Sequence, residues 1–156
     1  MFKCAHISDV HWRSLKRHDE YKQIFTKMFK KLRKEEPNII FIGGDIVHSK
    51  TQGISPEIIE NLNWWFNELA NIAPVHVILG NHDGLILNED RQDAITPIIS
   101  AINNNNIKLF KKSGTYPTGI KGFNWGVFSC FDQKNWNLVK PVQDEINIAC
   151  FHGAVM

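Results

Sequence analysis

Four short apolar runs along the chain each stop at residues able to bind a metal or move a proton. Phe2 to Ser8 gives way to Asp9-Val10-His11, Asn38 to Ile42 to Gly43-Gly44-Asp45, and Val75 to Leu79 to Gly80-Asn81-His82-Asp83. Ile146 to Phe151 ends at His152. Runs of this length, rich in β-branched residues and bounded by turn formers, predict buried strands. Between the first three lie segments with helical spacing. Tyr21, Ile24, Phe25, Met28, Phe29 and Leu32 recur every three or four positions, in a helix starting near Asp19 or Glu20 and ended by Pro37. Ile58, Ile59, Leu62, Trp65, Phe66 and Leu69 share one face of a second helix, opened by Ser55 as N-cap and Pro56 at the first helical position.

The order strand, helix, strand, helix, strand predicts right-handed crossovers and a parallel sheet, with its strand ends gathered on the edge where such sheets bind ligands. Gln92 to Ile102 reads as a third helix, with Pro97 tolerated only in its first turn. From Ile107 the pattern turns to short alternating segments with glycines, around Leu109, Tyr116, Ile120, Phe123, Trp125, Val127 and Phe128. A second, antiparallel sheet is therefore expected to begin there. The segment 46–53 reads as a loop.

With 156 residues and 43% hydrophobic content the chain suits one domain, 1–156, with a sizeable core. The net charge of +2 neither demands nor excludes a nucleic-acid partner, because a local basic rim would suffice. Three well-separated cysteines, Cys4, Cys130 and Cys150, read as reduced core residues. No apolar stretch approaches the roughly 20 residues of a membrane span, and the first residues lack a signal-peptide pattern. The expected location is cytoplasmic, with no membrane partner.

Asp9, His11, Asp45, Asn81 and His152 form a mixed oxygen and nitrogen donor set. That mix suits first-row divalent ions, and the absence of cysteine argues against a structural zinc knot. A carboxylate placed between two groups of ligands, here Asp45, can bridge two metals of the kind used in phosphoester hydrolysis. His82 is the candidate general acid and Asp83 its orienting partner. His6 and His76, inside strands, read as core or sheet-face residues. Lys27, Lys30, Lys31, Arg33 and Lys34 read as a solvated helix face.

Asp9-x-His11, Gly44-Asp45, Gly80-Asn81-His82-Asp83 and His152 after a strand, in that order, resemble the successive signatures of the calcineurin-like metallophosphoesterases. The resemblance implies an α/β fold, a four-layer α/β/β/α sandwich with a dinuclear metal centre at the sheet edge. Asp9 and His11 would hold one ion, Asn81 and His152 the other, with Asp45 bridging and His82 catalytic. It implies two divalent ions, manganese first, with iron, zinc or magnesium as alternatives. Within the superfamily, Asp45-Ile46-Val47-His48 and the Ser55-Pro56 helix are similar to the SbcD and Mre-type DNA repair nucleases, in which the histidine matching His48 lies beside the metals and helps position DNA.

The implied function is a metal-dependent phosphodiesterase, an exo- or endonuclease of the double-strand-break repair type. Arg13, Lys16, Arg17 and His18 are candidate phosphate contacts. The alternatives are a small-molecule or protein phosphatase of the same superfamily, or an inactive fragment acting as a binding module. The family pattern continues with a Gly-His-x-His strand that completes both metal sites, and Met156 comes before it. The expectation is a domain incomplete at its C-terminus, with weakened metal binding and an open sheet edge that invites a homodimer. The segment that contacts an SbcC-like coiled-coil ATPase is likewise expected to lie outside these residues.

Overall fold

The computed structural model describes residues 1–13, 16–48, 54–88 and 91–153. Strands β1 (Cys4–Ile7), β2 (Ile39–Ile42), β3 (Val75–Ile78) and β4 (Ile107–Phe110) form one all-parallel sheet in the order β1-β2-β3-β4. Helices α1 (His18–Glu35), α2 (Pro56–Ala70) and α3 (Thr96–Ile102) make the crossovers. Because the strand order advances in one direction with right-handed connections, the three helices fall on one face.

Alternation along the strands divides the core in two. Ile40, Ile42, Val75, Val77 and Ile107 pack on Phe25 and Phe29 of α1, on Leu62, Trp65, Phe66 and Leu69 of α2, and on Ile98 of α3. Ile39, Phe41 and Ile78 face the other way, onto Trp125, Val127 and Cys150 of a second sheet. Each of β2 and β3 is thus buried on both faces, which accounts for the continuous apolar sequence of β2 and for a β3 in which only His76 is polar.

The second sheet contains β5 (Gly114–Pro117), β6 (Phe123–Phe128) and β7 (Ile146–Phe151) in that order, with β5 antiparallel and β7 parallel to β6. On its outer surface Trp136, from a 3-10 helix over Gln133–Leu138, packs edge-on against Phe128 and Phe151. Helices, first sheet, second sheet and this short outer turn form a layered α/β arrangement.

Several expectations change. Ile107 to Phe110 closes the parallel sheet instead of opening the second one, which starts at Gly114. Only Ile107 is fully buried, as suits a sheet edge, and a half-covered strand of this kind mimics one of an antiparallel hairpin. The second sheet is mixed, not wholly antiparallel, and β7 is only partly buried: Ile146 is 56% exposed at the sheet edge. Helix α1 begins one residue before Asp19, with Arg17 in a left-handed conformation as its cap and Asp19 and Glu20 in the first turn. Helix α2 has the cap read from the sequence, since Ser55 Oγ accepts from the Ile58 amide at 3.3 Å. Helix α3 is shorter than expected and carries Pro97 in its first turn. The loop expected over 46–53 lies, from residue 49 on, outside the described residues. Among the described residues no helix is long and apolar enough to cross a membrane.

Candidate metal centre

The carboxyl ends of β1, β2 and β3 and the end of β7 meet at one edge. After β1 and β2 the chain continues in register: the Asp9 amide donates to the Gly44 carbonyl, the His11 amide to the Asp45 carbonyl and the Trp12 amide to the Ile46 carbonyl. Asp9, His11 and Asp45 all sit at positive φ, between 51 and 55°. Three non-glycine residues in the left-handed region within two short turns represent local strain. Here that strain aims the side chains at a common point. Gly44, at φ 97°, makes the turn that a side chain would block, because an added Cβ would lie 2.6 Å from Gly80 N and 2.8 Å from His152 Nδ1.

Asp45 is the centre. Its Oδ2 lies 3.3 Å from His152 Nε2, 3.5 Å from His11 Nε2 and 4.0 Å from His82 Nε2. Asp9 Oδ1 is 3.8 Å from His11 Nε2. Two donor groups result, His11 with Asp45 and His82, and Asp9 with Asp45 and His152, each within 4.8 Å and sharing the Asp45 carboxylate. Asp45 is itself buried, and its Oδ1 accepts from the His82 amide at 2.8 Å. Asn81 lines the same cavity of about 650 Å³, with Asp9, His82 and His152 at one end and the apolar side chains of Phe41, Ile78 and Trp125 at the other.

The geometry fits a bound cation. His152 Nδ1 is 2.6 Å from the Gly43 carbonyl, which can only accept, so the ring proton resides on Nδ1. With Nδ1 committed to that carbonyl, Nε2 is the ring atom turned to the carboxylate, 3.3 Å from Asp45 Oδ2, where it can serve as a ligand to a divalent ion. A ligating histidine with its other N–H on a backbone carbonyl is the usual form of such sites. His11 is held below the ordinary imidazole range by burial, with His82 and His48 adding to the effect and Asp45 and Asp9 opposing it. A neutral ring is the form that ligates.

Asp83 does not orient His82. Its carboxylate is fully buried and both oxygens are committed to backbone: Oδ1 accepts from the Ile46 and Val47 amides at 2.8 and 3.1 Å, and Oδ2 from the Gly80 amide at 2.8 Å. Burial pushes its pKa up to about 6, against the opposing pull of those amides. Asp83 therefore ties the loop after β3 to the loop after β2. The orienting contact on His82 comes from the His48 carbonyl, 2.7 Å from His82 Nδ1. A backbone acceptor has no side-chain signature, so the sequence pattern pointed to the adjacent carboxylate instead. The His48 ring lies against His11 and His82, with centroids 5.5 and 6.1 Å away.

The basic residues near the site divide. Arg13 and Lys16 are exposed, Arg17 pairs with Glu20 at 2.6 Å, and His18 Nε2 contacts the Arg13 carbonyl at 2.7 Å. Two residues absent from the sequence-derived set support the site. Ser8 Oγ donates to Asp9 Oδ2 at 2.5 Å, and Tyr21 OH donates to the His11 carbonyl at 2.8 Å while stacking on Trp12. His76 is a core residue, buried and accepting from Trp125 Nε1 at 2.7 Å, whereas His6 lies on the sheet face beside Phe41 and lines the cavity. The cysteines are in thiol form, Cys130 Sγ lying 3.7 Å from the Leu79 carbonyl. Burial raises Cys4, and it raises Cys150 to about 12, so both remain thiols.

A family model, calcineurin-like phosphoesterase, matches residues 2–155. The chain belongs to this family. It is also similar to uncharacterized protein R555 of Acanthamoeba polyphaga mimivirus, 39% identical over 164 residues that cover 96% of this chain. The chain spans 12% of that relative's length. Among solved structures, the nuclease MPE of Pseudomonas putida aligns over 94% of this chain and 59% of its own, with a TM-score of 0.49 and 16% identity. As a calcineurin-like phosphoesterase, the chain is of a family that hydrolyses phosphoesters with divalent metals.

Proposed function

We propose that this phosphoesterase domain hydrolyses phosphodiesters by a two-metal mechanism, and that its substrate is DNA, in the manner of repair exo- and endonucleases. The observation that carries the reading is the convergence of three imidazole Nε2 atoms on one buried oxygen, Asp45 Oδ2. A pair of divalent ions, manganese in first place, would supply a water made acidic enough to attack near neutral pH and a Lewis acid for the phosphoryl oxygen.

The protein supplies the rest. Asp9, His11, Asp45, Asn81 and His152 would hold the ions, with Asp45 between them. His82 gives its Nε2 proton to the leaving ester oxygen, while Nδ1 stays bonded to the His48 carbonyl and fixes the ring plane throughout. The His48 side chain, flanking His11 and His82, is placed to meet the substrate on that side. Arg13 and Lys16, exposed in the segment that follows His11, would add affinity for a phosphate chain independent of sequence.

The test compares duplex DNA, a bis-aryl phosphodiester and p-nitrophenyl phosphate with manganese. The reading expects cleavage of both diesters, with the monoester the poorest substrate. Turnover of the monoester alone would instead mark a phosphatase.

A further inference from the structure

Helix α1 carries Lys27, Lys30, Lys31 and Lys34 at positions i, i+3, i+4 and i+7, which places all four on one side of the helix. All are exposed, and they stand opposite the side on which Phe25 and Phe29 enter the core. Like charges at these spacings repel one another and weaken the helix. A face that only needed to be wet would not require a single sign. Three other cations of this region do have partners, Arg17 paired with Glu20, Arg33 with Glu68 and Lys3 with Glu35, whereas Lys22, off the stripe, has no ion pair among the described residues. Among the described residues no carboxylate lies within ion-pair distance of the four stripe lysines. The acids of α1 lie at its ends, Asp19 and Glu20 in the first turn and Glu35 in the last.

The stripe is connected to the metal centre. Tyr21 near the start of α1 donates to the His11 carbonyl, and the segment before α1 presents exposed Arg13 and Lys16. From Tyr21 the helix carries the lysines roughly 9 to 20 Å further along its axis, at 1.5 Å per residue. We infer that this uncompensated lysine stripe binds the phosphate backbone of the nucleic acid being cleaved, at a distance from the scissile bond. The inference rests on the proposed DNA substrate and adds a second, sequence-independent contact surface to it. Duplex DNA presents a negative charge about every 1.7 Å of its axis, so four lysines along such a length have several phosphates within reach.

The test replaces the four lysines together by glutamine, which keeps helix propensity and removes the charge. Binding of a fluorescein-labelled duplex of random sequence is measured against salt concentration in EDTA, which prevents cleavage. Turnover of bis-p-nitrophenyl phosphate is followed separately with manganese. The inference expects the slope of log affinity against log salt to become shallower by about three to four, from roughly 0.9 per phosphate contact. It expects unchanged turnover of the small diester, and recovery of the slope when the four positions are arginine. An unchanged slope in the glutamine variant overturns the stripe. Failure of the unmodified protein to bind DNA while it still turns over the small diester overturns the stripe and the DNA assignment, but not the phosphodiesterase. Charge-dependent DNA binding without turnover of any phosphoester supports the stripe and overturns the proposed activity.

Discussion

His82 is held by the backbone of His48. The ring Nδ1 lies 2.7 Å from the His48 carbonyl, and the two imidazoles are nearly parallel at 18°. That bond leaves Nε2 as the atom directed at the Asp45 side of the cavity, 4.0 Å from Oδ2. In the proposed reaction it is the proton donor, which gives a measurable asymmetry. His82→Ala should slow cleavage of DNA, whose leaving alkoxide needs a proton, by about 10²- to 10⁴-fold. Cleavage of an aryl diester with a stable leaving anion should fall far less. Equal losses on both substrates would remove the acid role.

Gly80 cradles Asp45. A Cβ at this position would overlap Asp45 Oδ1 and the Asp45 backbone nitrogen, and would come within 2.9 Å of its Cγ. Gly80→Ala is therefore expected to displace the Asp45 carboxylate and, on the proposed reading, weaken manganese binding at least tenfold, about 1.4 kcal/mol. Far-UV circular dichroism should be retained. Titration calorimetry with native-like affinity in this variant would show that Asp45 is not the bridge.

Asp83 joins two loops by three backbone amides. Asp83→Ala leaves those buried donors unpaired, at a cost of about 3 kcal/mol or more, and urea denaturation should register it. An orienting partner of His82 would behave differently, losing turnover with little change in stability.

Protonation of His76 should weaken the packing of the two sheets. Burial, with Lys108 adding to it, lowers its pKa to about 4, and its Nδ1 must be unprotonated to accept from Trp125. The unfolded chain takes up this proton near pH 6.5 and the folded chain only near pH 4. Stability from this group is therefore complete above about pH 6.5 and lost as the pH falls towards 4, by at most about 3 kcal/mol. His76→Phe should be less stable at neutral pH, because it strands the buried indole N–H. It should also lose this part of the acid sensitivity, seen by denaturant titration across pH.

Much of this architecture was legible in the sequence, because the periodicities that mark a parallel sheet are strong where both faces are buried, as at Ile39–Ile42 and Val75–Ile78. The helix cap at Ser55 was legible for the same local reason. The edge strands were less so. Ile107–Phe110 has an incompletely covered side, and half-burial removes the continuous apolar run that identifies a central strand, whereas Ile146–Phe151 was legible as a strand but not in its exposure. At the site, the donor residues stand out by type and spacing. Their supports do not, since the His48 and Gly43 carbonyls that orient His82 and His152 belong to the backbone. Asp83 illustrates the limit. Adjacency to His82 suggested a partner, whereas the left-handed turn at Asp45 brings the Ile46 and Val47 amides to that carboxylate first.

The central claim is a bridged pair of metal ions around Asp45. Electron paramagnetic resonance at saturating manganese tests it most directly, since two ions sharing a carboxylate are exchange-coupled and isolated ions are not. The expected result is a coupled two-manganese spectrum in the unmodified protein that Asp45→Asn replaces with that of uncoupled ions. An uncoupled spectrum in the unmodified protein, or a coupled one that survives Asp45→Asn, would contradict it.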